Sequence, residues 1–395
     1  MKVQNNPQLH LTYCLNIHPG QNWSENFTAI KDYALGVRDM VCPGQPFALG
    51  LRLSNIAAQE LKEKEKLEEF KNFLTSENLY VFTINGFPYG QFHQTAVKEN
   101  VYKPDWQSQQ RRDYTIALAD ILAELLPPTI TGSISTVPLS YKNWKKSEND
   151  ISEMINNLAD TAAHLNRIHE TTDKDICIGL EPEPDCVIEN TNETIKFFSG
   201  PLLEIGSNYL QQRAGIKIEN AKQILKRHIG ICFDTAHLAV QFENLAESFG
   251  KLQQADIRIC KVQLSSALKL NRSKEALQQL KQFDDKVYLH QVKIKTKDNI
   301  ISCCDLPEAM ESKACPDEKW RIHFHVPLFF KQSGLLQSTS DCLDDNFFDL
   351  LTKGATEHLE IETYTFDVLP QSMRDKNVVE AIAEEYKWAL SRLKK

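Results

Sequence analysis

The sequence is short of positive charge and of long apolar runs. It carries 45 Lys and Arg against 53 Asp and Glu, a formal net charge of -8. A chain that grips a nucleic-acid backbone needs a basic face, so this balance argues against such a partner. No stretch approaches the ~20 apolar residues that cross a bilayer. The opening "MKVQNNPQLHLTYCLNI" lacks the apolar core of a secretory signal, which leads to a cytoplasmic expectation. Low-complexity tracts, Pro/Gly/Ser linkers and tandem repeats are missing. So are a Gly-rich phosphate loop, GxSxG and HExxH, which removes the common nucleotide, serine-hydrolase and zincin signatures. Ten cysteines are present without a CxxC. Cys14, Cys177, Cys232 and Cys260 lie in strand-like runs and Cys303 adjoins Cys304, as expected of reduced core thiols.

What is present is a rhythm. Short β-rich runs occur at 10–17, 47–54, 79–86, 132–138, 176–184, 229–237, 257–266 and 358–366, with helical patterns between most of them. The Glu/Lys-rich "AAQELKEKEKLEEFKNFLTSE" is a helix with a solvated face. Eight strands alternating with helices predict an α/β fold, a parallel (β/α)8 TIM barrel in one domain over 1–395. The 395 residues exceed a minimal barrel of ~250. The surplus falls at 87–110 and, mainly, in an insertion at 267–357 between strands 7 and 8. That insertion holds two further strand-like runs, "VYLHQVKIK" and "WRIHFHVPLFF".

Side chains alternate across a strand. In the first run Leu11, Tyr13, Leu15 and Ile17 oppose His10, Thr12, Cys14, Asn16 and His18. In the seventh, Val262 and Leu264 oppose Lys261, Gln263 and Ser265. The apolar faces must pack on helices, and the smaller, more polar faces must point into the barrel. Catalytic groups of such barrels sit at the C-terminal ends of the strands. Glu181 and Glu183 end the fifth run, Asp234 and His237 the sixth, and Glu360 and Glu362 lie in the eighth. His323 and His325 alternate with apolar residues in the insertion.

Singly, each has an ordinary explanation. Asp234 can cap the next helix, Glu181 can pair inside the barrel, and His323 and His325 can be hydrogen-bonded core residues. Jointly, acidic ends on three strands would repel one another unless a cation lay between them. Mixed Asp/Glu/His donors suit Zn, Mn, Fe or Co better than Ca. The loop "NGFPYGQFH" follows the third strand, so Phe87, Tyr89, Phe92 and His93 are candidates to cover a ligand. His18, Arg52, Lys261, Gln263 and His325 are further candidates to touch it. Lys261 is either an amine of lowered pKa, able to act as a base, or the partner of an interior carboxylate.

"GICFDTAH" resembles the Asp-x-x-His strand of the xylose-isomerase-like barrel superfamily, which includes sugar epimerases, isomerases and type-four apurinic endonucleases. Through "GLEPEP", "FDTAH", "RIHFHVP" and "EIET", the resemblance implies metal ligands at Glu181, Asp234, His237, His323 and Glu362, with His325 in reserve. Over nearly the whole chain, "HLTYCLNIHPG", "FTINGFPYGQFH", "VKENVYKPDW", "GSISTVP", "KVQLSSAL", "HFHVP" and "IETYTFDVLP" resemble the EboE-type metabolite traffic proteins, barrels encoded with a cluster implicated in moving secondary metabolites. That implies a small-molecule metabolite and other proteins of the cluster as partners. "KVQLSSAL" departs from the superfamily by offering Gln263 where a histidine ligand is usual, which implies one ion instead of several, or a lost metal. Three functions follow as expectations: a metal-dependent isomerase or epimerase with Glu181 or Glu362 shuttling the proton, a non-catalytic metabolite-binding or hand-over protein, and an endonuclease-type phosphodiesterase.

Overall fold

The computed structural model describes every residue except 92–97, 145–146, 285, 314, 316, 371–373, 375 and 394–395. Eight parallel strands form the barrel: β1 (Leu9–Tyr13), β2 (Phe47–Arg52), β3 (Leu79–Asn85), β4 (Gly132–Thr136), β5 (Ile176–Leu180), β6 (Ile229–Asp234), β7 (Ile259–Leu264) and β8 (His358–Ile361). Consecutive strands pair from β2 through β8, and β8 pairs with β1. The last seam, between β1 and β2, is closed by a parallel bridge from Cys14 to Gly50. Beside it the Thr12 hydroxyl donates to the Ala48 carbonyl at 2.8 Å. Only a glycine fits there, because a Cβ on Gly50 would lie 2.6 Å from the Tyr13 carbonyl oxygen.

Seven of the eight runs read from the sequence contain one of these strands, and the first begins one residue inside β1. The outward faces pack on amphipathic helices. Helix Glu148–Thr172 starts at a Ser147/Asp150 capping box, ends on Asp173 at φ 59°, and buries Met154, Ile155, Leu158, Ala162 and Leu165 at helical spacing. The C-terminal helix Val378–Leu393 lies across the β1–β2 seam, with Tyr386 against Tyr13 and Phe47 at 6.2 and 5.9 Å between ring centroids.

The interior is layered and polar, as the alternation predicts. His10, Phe82 and His358 fill its lower end. Above them Lys261 and Glu360 form an ion pair with both side chains wholly buried.

The chain between β7 and β8 builds a second sheet of six antiparallel strands, in the order Ile300–Cys303, Val292–Lys295, Lys319–Val326, Ser266–Asn271, Leu336–Ser338, Gln332–Ser333. It has its own core, including Leu268, Val292, Ile294, Trp320, Ile322 and Phe324. Along Lys319–Val326 the apolar residues turn to that core. The alternate face, Arg321, His323 and His325, turns to the barrel. Arg321 reaches the Ala239 carbonyl and lies over the Phe242 ring at 4.4 Å. The separate sheet is shorter than the expected 267–357. Helix Asp345–Thr352 has already returned to the barrel, where Phe347 packs on Phe233 of β6 at 5.7 Å.

Candidate metal centre

Asp234 ends β6 and is the N-cap of helix Thr235–Val240. Its Oδ1 accepts from the Ala236 and His237 amides at 2.8 and 2.9 Å and from the Ser265 hydroxyl at 2.8 Å. Its Oδ2 is buried without a hydrogen-bond partner. The cap uses one oxygen and leaves the other unbonded.

Around Asp234 the other strand ends converge. Ligand atoms of Glu181, Asp234 and His237 lie within 4.8 Å of one another, as do those of Asp234, His325 and Glu362, and those of His237, His323 and His325. All six side chains are buried. Glu181 follows β5, Asp234 ends β6, His237 lies in the helix after it, Glu362 follows β8, and the insertion supplies both remaining histidines.

The three imidazoles are oriented by their Nδ1 atoms. His237 Nδ1 meets the Pro182 carbonyl at 3.2 Å, and His325 Nδ1 meets the Glu362 carbonyl at 3.0 Å. His323 Nδ1 meets Gln291 Oε1 at 2.7 Å, while the Gln291 amide nitrogen donates to the Tyr102 hydroxyl and the Pro184 carbonyl. A carbonyl can only accept, so each Nδ1 carries the proton and each Nε2 keeps its lone pair. Nε2 of His323 and of His325, with Glu181 Oε2 and Asp234 Oδ2, are buried atoms without a partner.

Electrostatics point the same way. Burial, then the charges of Glu362 and Asp234, hold the Glu181 carboxyl well above the usual range. Burial, then Asp234 and Glu360, do the same to Glu362. Burial, then neighbouring imidazoles, push His237 and His323 well below the usual histidine value, and burial lowers His325. Such a cluster gains from a divalent cation that accepts the orphaned electron pairs. The mixed N/O donors with unpaired atoms fit Zn, Mn, Fe or Co.

A cavity opens over the cluster. Its inner end carries Asn16, Asn85, Glu181, Glu183, His237, His323 and Glu362, and Phe87 is among its outer residues. Asn16 and Asn85 Nδ2 both donate to Glu362 Oε1, at 2.8 and 2.9 Å.

Several expected ligand contacts lie elsewhere. His18 stacks on Tyr33 at 4.5 Å and its Nε2 meets the Tyr13 hydroxyl at 3.0 Å, because the chain leaves β1 for a 3-10 turn and the strand alternation stops at Tyr13. Arg52 donates to the Gly20 and Gly90 carbonyls. Tyr89 packs edge-on against Tyr114 at 5.1 Å. Lys261 lies below the cavity; burial opposes its charge, but Glu360 outweighs burial and holds the ammonium above its ordinary range, so it supplies no neutral amine. Gln263 accepts from the Cys232 thiol at 2.8 Å, outside the cavity lining. Phe92 and His93 lie outside the described residues. His325, read as a reserve, joins two of the three triads.

Sequence reasoning gave no role to Glu183, Asn16, Asn85, Tyr102, Gln291 or Ser265. Alternation did place Ser265 on the inward face, whereas Asn16 lies in the 3-10 turn beyond the reach of that pattern. Glu183 Oε1 accepts from the Tyr102 hydroxyl at 2.8 Å, and burial pushes its carboxyl up to about 8.

No family model and no curated protein matches the chain. Solved structures do. The probable 3-DHS dehydratase AsbF of petrobactin synthesis from Bacillus anthracis is 13% identical over 96% of this chain and 98% of its own, with a TM-score of 0.48. The IOLI protein with a bound zinc atom is 12% identical over 98% of both chains, also at 0.48. A xylose isomerase domain containing protein from Salmonella typhimurium is 12% identical over 100% of both, at 0.41.

Proposed function

We propose that this chain is a divalent-metal-dependent enzyme of isomerase or epimerase type, acting on a small metabolite with adjacent carbonyl and hydroxyl oxygens. One observation carries the reading: four buried ligand atoms, Glu181 Oε2, Asp234 Oδ2, His323 Nε2 and His325 Nε2, lack partners within one cluster at the barrel mouth. Glu181, Asp234, His237, His323, His325 and Glu362 are the residues that would hold the ion. When bound, it would polarise the substrate carbonyl and make the neighbouring C–H more acidic.

The chain's own groups do the rest. Asn16 and Asn85 hold one oxygen of Glu362 and so orient its carboxyl at the cavity's inner end. Glu181 and Glu362 take the proton from one carbon and return it to its neighbour or to the opposite face. Glu183, held by Tyr102 and outside the three triads, orients a substrate hydroxyl. The residues of the insertion cover the mouth and keep bulk water from the exchanging proton. The resemblance to EboE-type proteins adds a setting, a cytoplasmic step in a metabolite-trafficking pathway. Among the described residues no helix is long and apolar enough to cross a membrane.

The test has two parts. Metal analysis of the purified protein is expected to find bound Zn, Mn, Fe or Co, and Asp234→Ala to remove it. The metal-loaded protein in deuterated water is expected to exchange a carbon-bound proton of a small hydroxyketone, read by NMR. A purified wild-type chain that takes up no divalent ion sinks the proposal.

A further inference from the structure

The cavity over the metal cluster is uneven in chemistry. Beside the polar, acidic residues of the cluster, its lining includes Phe87, Val101, Tyr102, Tyr288, Leu289 and Tyr364. The rings form two edge-on pairs, Phe87 with Tyr102 at 5.9 Å and Tyr288 with Tyr364 at 5.1 Å. The first pair comes from the segment after β3, and the second from the insertion and the chain after β8. Flat walls of this kind suit a ring more than an open polyol, whose hydroxyls would lose water without finding partners there.

Charge selects as well. Among the described lining residues Lys98 is the one cation, and its Nζ is 2.7 Å from Asp305 Oδ2. Asp305 is itself fixed, its Oδ1 accepting from the His290 and Leu306 amides. Nearby guanidinium groups are turned to backbone carbonyls: Arg52 to Gly20 and Gly90, Arg111 to Pro104, Gly86 and Phe87. Facing the ligand instead are Glu181, Glu183 and Glu362, with Asp234 behind them. One divalent ion does not balance even the three carboxylates of the triads, Glu181, Asp234 and Glu362. A phosphate dianion would find neither a free cation nor a positive field.

Resting on the metal-dependent reading above, we propose that the substrate is a neutral ring compound bearing two adjacent oxygens, and that the site rejects phosphorylated sugars. The adjacent oxygens would face the cluster, and the ring would lie between Phe87 and Tyr364.

Binding tests this apart from turnover. The full-length, metal-loaded protein is titrated calorimetrically with 4-methylcatechol, D-xylulose and D-xylulose 5-phosphate, and metal content is measured on the same samples afterwards. Expected is 4-methylcatechol at least about tenfold tighter than D-xylulose, with the 5-phosphate weaker than the free sugar. Phe87→Leu, which keeps apolar bulk but removes the ring, should weaken 4-methylcatechol about two- to tenfold and leave D-xylulose and metal content unchanged. Tyr364→Leu repeats the test on the other wall, should Phe87→Leu not fold. A 5-phosphate that binds more tightly than its sugar overturns the proposal, as does a metal-loaded protein that does not favour the ring. Those results leave the metal-dependent reading standing. A chain that holds no metal removes both.

Discussion

Removing the amine of Lys261 isolates a wholly buried ion pair in the barrel. Lys261 Nζ bonds Glu360 Oε2, and neither side chain has any exposed surface. Glu360 Oε1 has no other partner. In Lys261→Met the stem remains but Glu360 becomes a buried, uncompensated carboxylate. Two unit charges at ~4 Å and an effective dielectric near 20 attract by about 4 kcal/mol, and breaking one side of a buried pair costs about 3–5 kcal/mol. The variant should therefore lose about 3–5 kcal/mol in equilibrium urea unfolding at neutral pH. Lys261→Met with Glu360→Gln should recover most of the loss, since no charge is left buried. A Lys261→Met chain within about 1 kcal/mol of wild type at pH 7 would refute this account of the interior.

Other expectations are separate in space. His228 is buried, and burial holds its imidazole down at about 4 from the usual 6.5. A group depressed in this way stabilises the fold above the unfolded pKa, so about 3 kcal/mol should disappear as pH falls from ~6.5 through ~4; the His228→Gln chain should show a shallower acid limb in unfolding curves. Gly50→Ala puts a methyl group into the β1–β2 seam against Tyr13 and Glu360, and should cost at least about 1–3 kcal/mol by overpacking, read as a lower melting temperature. Ser265→Ala removes one donor to Asp234 Oδ1, and should weaken metal affinity by about ten- to a hundredfold with the fold retained by circular dichroism. Trp320→Ala should cost about 3–5 kcal/mol in the insertion core and lower metal affinity too, because Trp320 shares a strand with His323 and His325.

Legibility in the sequence followed the regularity of the backbone. The period-two pattern put Lys261, Gln263 and Ser265 on one face of β7, and each does meet an interior group: Glu360, Cys232 or Asp234. The apolar run ending in Asp234 marked both the end of β6 and the cap of the next helix. The same reasoning misplaced His18, because alternation has no meaning once the chain turns into a 3-10 helix after Tyr13. Tyr102 and Gln291 left no periodic trace. Tyr102 ends a short 3-10 helix and Gln291 lies in a loop, and the two meet only because the insertion folds over the segment after β3. Arg52 keeps an inward phase at a strand end and turns its guanidinium to loop carbonyls, which the strand pattern could not show.

The insertion carries its own hydrophobic interior yet lends two imidazoles to a cluster whose acids belong to the barrel. An ion seated there would work as a rivet between two separately packed bodies. Whatever strips it, a chelator or acid, should free the smaller sheet to swing or be clipped by protease well before the barrel melts. Occupancy of the centre and closure over the ligand would then be one event, and a chain that has lost its ion would also have lost its roof.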